Sequence, residues 1–199
     1  MKKFELTSET KINVFGKKLF RIKALISFGC VEAGETGGWV EKEENLSQSG
    51  DAWVYDNAKV YGNAKVCGNA WVYGNAWVYD NAKVCGDALV YDNAKVYGNA
   101  WVYDNAKVCG DALVCGDAWV RGDADYTTIH GFGTQFRTTT FFRCKDKAVR
   151  VSCGCFFGTI SEFREQVKKT RSGKIAEDYL AIADLMEKHF EKEENHGRR

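Results

Sequence analysis

AWVYDN at residues 52–57, AKVYGN at 58–63 and AKVCGN at 64–69 open a run that continues, copy after copy, to AWVRGD at 118–123. Twelve hexapeptides of the form Ala-x-Val-x-[Gly/Asp]-[Asn/Asp] follow one another without insertion or deletion, and a thirteenth fades at Ala124-Asp125-Tyr126. Within a copy, Ala and Val stand two apart and share one face of a short strand, while the residues between and after them point the other way. The Gly/Asp-Asn/Asp pair tolerates left-handed backbone angles and bonds to its own main chain, so it is a corner. Three copies per turn close a triangular prism, and the twelve copies make four coils. With roughly 4.8 Å between stacked strands the shaft is about 19 Å long. Ala and Val fill its interior, and each Asn/Asp corner stacks on the one a coil below. The open edges of the first and last coils require caps.

The flanks can supply them. Residues 1–51 read as an N-terminal β cap and lead-in, 52–125 as the shaft, and 126–199 as a C-terminal α/β module. Ile12 to Phe15 and Leu19 to Ile22 around Gly16-Lys17 predict a hairpin, with Ala24 to Phe28 as a further strand, and Gly34 to Ser47 as the loop entering the first coil. On the far side, Arg137 to Cys144 and Ala148 to Cys153 predict two strands. Thr159-Ile160-Ser161-Glu162 is a capping box opening one helix, and a second helix starts near Gly173 with Ile175, Tyr179, Ile182, Met186 and Phe190 at helical spacing.

Sorting the outward positions by coil assigns each to a prism face. The first face stacks Trp53/Tyr55, Trp71/Tyr73, Leu89/Tyr91 and Lys107/Cys109. The second carries Lys59/Tyr61, Trp77/Tyr79, Lys95/Tyr97 and Leu113/Cys115, and the third Lys65/Cys67, Lys83/Cys85, Trp101/Tyr103 and Trp119/Arg121. So much outward aromatic surface requires a cover. Three covers suit it: the C-terminal helices folded back onto the first face, a second copy of the chain, or a ligand ring from a carbohydrate or nucleobase. Lysines beside aromatics on the second and third faces favour an anionic ring. The candidate binding residues are therefore Trp53, Tyr55, Trp71, Tyr73, Trp77, Tyr79, Trp101, Tyr103, Trp119 and Arg121. Phe132, Arg137 and Arg143 join them from the donor-rich segment that follows the shaft.

The formal charge of +1 gives no strong nucleic-acid signal, and no apolar stretch is long enough for a membrane span. The N-terminus lacks a secretory core, so a cytoplasmic location is expected, with the eight cysteines reduced. The excess of positive charge lies after the shaft, where an anionic ligand or acidic partner is expected. The three histidines all lie outside the repeats. His189 and His196 sit at a helix end and in a charged tail, which leaves His130 as the one candidate general base. Cys144, Cys153 and Cys155 could meet across the predicted hairpin, and with His130 could hold zinc, although their spacing matches no familiar zinc motif. Neither a phosphate-binding loop nor a dinucleotide fingerprint is present, and no resident cofactor is expected.

The repeat resembles the hexapeptide-repeat superfamily. That resemblance implies a mainly β fold: a left-handed parallel β-helix of about four coils, with an N-terminal β cap and a C-terminal β-hairpin plus two helices. The handedness comes from the resemblance alone, since right-handed crossovers are the rule. It also implies trimeric acyltransferases using acetyl-CoA, which would make His130 the base. Gly37 to Ser47, the Tyr-Gly-Asn-Ala-x-Val repeats, Thr138 to Arg143, Val151 to Phe156 and Gly158 to Phe163 are further similar to a group of bacterial and prophage-encoded proteins without established chemistry. The setting this implies is a phage or prophage one. The function expected is that of a non-catalytic, homo-oligomeric binding protein acting in counter-defence, by occluding a host protein or sequestering a small nucleotide signal. The alternatives are acyl transfer and a structural assembly component.

Overall fold

The computed structural model describes residues 2–194. Twelve two-residue strands, β4 (Trp53–Val54) to β15 (Trp119–Val120), build the shaft, one per hexapeptide. Each pairs in parallel with the strand three copies away, as in Trp53 with Trp71 and Val54 with Val72. The interior positions from Ala52 to Val120 are buried without exception, so the small Ala and the β-branched Val form one continuous core. The protein is a mainly β solenoid.

The corners hold their register by side chain as well as by backbone. Asn63 Nδ2 donates to Asn81 Oδ1, Asn81 Nδ2 to Asn99 Oδ1, and Asn99 Nδ2 to Asp117 Oδ1, at 3.1 to 3.2 Å. A second ladder runs from Asn75 through Asn93 to Asp111. The corner residue before the Asn or Asp has positive φ in every copy but the last, where Gly122 is extended. Where that residue is not glycine it is aspartate, at Asp56, Asp80, Asp92 and Asp104. Asp can adopt this backbone because its short polar side chain finds a local partner. Asp56 Oδ2, for instance, accepts from Gly74 N in the next coil.

The shaft is one coil longer than the hexapeptides predict. Trp39 and Val40 of β3 (Thr36–Val40) pair in parallel with Lys59 and Val60, and Leu46 bridges to Val66. The solenoid therefore has about five turns. Those pairings join residues 20 apart, whereas Asp51 N reaches Asn69 Oδ1 at the regular separation of 18. Two extra residues between Leu46 and Gly50 carry the difference, and the segment expected to be a lead-in loop is the first coil. Asn45 completes it, donating from Nδ2 to the carbonyls of Gly62 and Ala64.

The second strand of the N-terminal hairpin is where it is expected, whereas the first lies upstream of Ile12 to Phe15. β1 (Phe4–Ile12) and β2 (Lys18–Ala24) pair antiparallel and extend the second-face sheet through β3. Residues 13–17 are its turn, fixed by Asn13 Oδ1 accepting from Phe15 N and Lys17 N. Of the expected strand Ala24 to Phe28, only the end of β2 and an isolated bridge from Phe28 to Val31 exist.

At the other end four antiparallel strands, β16 (Tyr126–Phe132), β17 (Arg137–Arg143), β18 (Val149–Cys153) and β19 (Phe156–Thr159), form a separate sheet in that order. The two central strands match expectation, whereas β16 and β19 extend the expected hairpin on both sides. Phe142 and Cys144 belong to the shaft's core, while Phe141 and Val151 face helices α1 (Ile160–Thr170) and α2 (Gly173–Glu194). The sheet caps the last coil through Lys145 N to Asp117 O and Leu113 N to Thr140 Oγ1, both 3.0 Å. Thr159 and Glu162 form the predicted capping box. Arg164 ties the helices together by pairing with Asp184 and Glu187.

Candidate functional site

The three aromatic faces have different fates. Trp53 is fully buried, with Phe28 at 5.4 Å and Phe4 at 6.1 Å between ring centroids. The first face is thus covered at its N-terminal end by the N-terminal segment. The C-terminal helices, expected to fold back there, instead pack on the C-terminal sheet, because their apolar stripe meets Phe141, Val151 and Phe156 in a core distinct from the shaft's. Tyr55, Trp71 and Tyr73 are half-buried. Tyr73 stacks on Tyr91 at 4.9 Å and Tyr55 meets Trp71 edge-on.

On the second face Tyr61, Tyr79 and Tyr97 form a stack with centroid spacings of 5.1 and 4.9 Å, and Trp77 lies beneath Lys59 and Lys95. Phe15 on the hairpin turn stands 6.2 Å from Tyr61, Trp77 and Tyr79. A cavity of about 660 Å³ opens between this turn and the corner ladder. Burial pushes the Tyr55 and Tyr79 hydroxyls up to about 12. An unfolded tyrosine titrates near 10, so between about pH 10 and 12 the folded chain binds more protons than the unfolded one. Stability should therefore fall as pH rises through that window. Denaturant midpoints and phenolate absorbance followed together check this: ionisation of these tyrosines near pH 10 without unfolding would contradict it.

The third face is the open one. Trp101 is 43% exposed, and its ring lies 6.0 Å from that of Trp119. Trp119 Nε1 donates to the Tyr103 hydroxyl, which fixes the indole. Lys83 Nζ sits 4.3 Å from the Trp101 ring centre, and Lys145 Nζ 5.9 Å from that of Trp119. A concavity of about 260 Å³ is lined by Asn99, Trp101, Asp117, Ala118, Trp119 and Lys145. Lys83 comes from the coil below Trp101, in register with it, and Lys145 from the cap beyond β17. Sorting by coil places the tryptophans together but misses Lys145, which only the docking of the cap brings over. Arg121, at the same end, is exposed and pairs with Asp125 at 3.6 Å.

The residues expected after the shaft do not converge. Arg143 holds Asp125 at 3.6 Å and donates to Phe190 O at 2.6 Å, a structural bridge from cap to helix. Phe132 packs against the helices and its carbonyl accepts from the Tyr179 hydroxyl. Arg137 is exposed on the hairpin. His130 is exposed on β16, with Nδ1 3.0 Å from Thr138 Oγ1 and no ion pair among the described residues. His196 lies outside the described residues. Cys144 is buried in the shaft's core, Cys153 packs on the helix side and accepts from Thr139 Oγ1, and Cys155 is exposed. The three do not meet, because Cys144 and Cys153 face opposite sides of the sheet.

The cysteines bring another correction. Cys67 and Cys85, in the outward slot of two successive third-face coils, form a disulfide. Cys109 lies 3.7 Å from the Tyr126 hydroxyl, and Cys115 is buried.

Among the described residues no helix is long and apolar enough to cross a membrane. A family model described as the YdcK β-solenoid repeat matches residues 64–80. A protein of Escherichia coli (strain K12) named uncharacterized acetyltransferase YdcK is 38% identical over 66 residues, a stretch covering 28% of this chain. The match spans about a fifth of that protein's own length, 19% of it. The chain is a β-solenoid repeat protein, and its coils are similar to those of YdcK.

Proposed function

We propose that this chain is a non-catalytic binding protein whose third face takes a small anionic ligand carrying an aromatic ring. What supports the reading is the exposed Trp101 beside a fixed Trp119, with Lys83 and Lys145 over the two rings. A ligand ring that displaces the Lys83 ammonium can stack on the exposed indole, and the two ammonium groups then supply the charge for a phosphate or carboxylate. No histidine, and no inserted loop, lies in the coils to add acid–base chemistry. With AMP and GMP as probes, fluorescence quenching should saturate and weaken with added salt. Trp101→Ala should lower affinity by about tenfold, the worth of one stacked base. Wild-type affinity in that variant, or no saturable quenching with either nucleotide, rejects the reading.

Acyl transfer is the second reading, favoured by the name of the E. coli relative. It needs acetyl-CoA to bind and His130 to act as base, yet His130 has a threonine hydroxyl rather than a carboxylate beside it. Heat on mixing with acetyl-CoA, together with an inactive His130→Ala variant, would establish it. Self-association through the same face would show as a concentration-dependent mass in light scattering that Trp101→Ala abolishes. Neither the YdcK match nor the geometry supports the phage setting or the counter-defence role.

A further inference from the structure

The cysteine pair on the third face belongs to none of these readings. Cys67 and Cys85 occupy the same slot of successive coils, with their Cα atoms 4.7 Å apart. Each is held there by its own backbone: Cys67 N donates to Val84 O at 2.9 Å and Cys85 N to Val102 O at 3.0 Å. These ladder bonds do not depend on the sulfur link, so the two side chains stay opposed when it is broken. Both residues are half-exposed. Cys67 also lines an open concavity of about 480 Å³ beside Lys65, Ser47 and Gln48, large enough to admit a small thiol. Lys65 and Lys83 precede the two cysteines on the same outward face, and Glu43 and Glu44 line the concavity together with Lys65.

The other cysteines are placed differently. Cys115 and Cys144 are buried and their thiols are pushed up by desolvation, which makes them poor nucleophiles. Cys30 and Cys155 are exposed but free, and Cys109 lies against a tyrosine hydroxyl.

We propose that Cys67 and Cys85 are a reversible thiol–disulfide exchange site in the folded protein, taking a small disulfide of the glutathione class as oxidant. One cysteine thiolate attacks a sulfur of the small disulfide; an S–S bond forms to the protein, and one small thiolate leaves. The second cysteine thiolate attacks the Sγ of the first cysteine in this mixed disulfide, forming the Cys67–Cys85 bond and releasing the other small thiolate. Two electrons pass from the cysteine pair to the small disulfide, and the two protons of the cysteine thiols end on the two released thiols. Reduction is the reverse, with a small thiol entering at the Cys67 side.

The test titrates the full chain with reduced and oxidised glutathione and reads mass, alkylation sites and circular dichroism. Reduction should add two hydrogens of mass and expose Cys67 and Cys85 together to alkylation, with the β spectrum retained and Cys115 and Cys144 still protected. Cys85→Ser should trap a glutathione adduct on Cys67, and the Cys67→Ser/Cys85→Ser double variant should keep the spectrum and lose the response. A link that yields only after unfolding, exchange that scrambles to other cysteines, or no adduct in Cys85→Ser overturns the proposal. Nucleotide binding at Trp101 is measured separately, so either result stands without the other.

Discussion

Replacing Trp53 by alanine should destabilise the protein by about 3–5 kcal/mol, the range for emptying a large aromatic site in a packed core. In a chain of this size that is a fall of roughly 10 °C in Tm. Trp53 has no exposed surface and is wedged between Phe4, Phe28 and Tyr55, so its removal opens a void at the place where the N-terminal segment is clamped to the first face. Among the described residues its indole Nε1 has no hydrogen-bond partner, which makes Trp53→Phe the informative comparison. That variant keeps most of the packing and removes an unsatisfied donor, so it should recover most of the loss. Chemical denaturation of the three proteins decides it. Near-native stability in Trp53→Ala would mean that the N-terminal clamp contributes little. Trp101→Ala should show the reverse pattern, with stability within about 1 kcal/mol of wild type because the ring is 43% exposed and fills no packed core.

The second large effect is a backbone one. Gly50→Val should cost about 2–5 kcal/mol, from a β-branched residue forced to φ +70° and from overpacking. A Cβ on Gly50 would lie 2.4 Å from the carbonyl oxygen of Gly68 in the next coil, and that oxygen accepts from Ala52 N. The obstacle is therefore a ladder bond that cannot yield. Gly110 occupies the equivalent corner position, also at positive φ, and a Cβ there would meet nothing within 4 Å. Gly110→Asp reproduces the residue already used at Asp56, Asp80, Asp92 and Asp104 and should stay within about 1 kcal/mol of wild type. Equal losses at both sites would show that the left-handed backbone alone, and not the spacing between coils, sets the cost.

Much of the shaft was legible because its period is strict. A hexapeptide with Ala and Val two apart admits one inside and one outside, and sorting with a period of 18 recovers all three faces and the asparagine ladders. The first coil escaped because its pairings are 20 residues apart and Leu46 stands where the repeat has Val, opposite Val66. The outer strands of the C-terminal sheet escaped for a related reason. β16 begins where the hexapeptide fades, and Thr127, Thr128 and His130 on it give no apolar alternation.

Which aromatic residues remain available to a ligand was not a property of the repeat at all. Trp53, Trp71, Trp101 and Trp119 occupy equivalent outward positions, yet Trp53 is sealed by Phe4 and Phe28 while Trp101 is open. The sequence by itself determined the coil, its inward and outward positions, and the stacking of its corners, because a period-two strand joined to a fixed corner leaves only one register. Only the tertiary structure decided which outward ladder is buried, that Lys145 is brought over Trp119, and that Cys67 and Cys85 are linked while Cys144 and Cys153 are kept apart. Those outcomes depend on where the non-repeating ends dock, and docking is set by the shape and apolar surface of assembled elements, which no local spacing encodes.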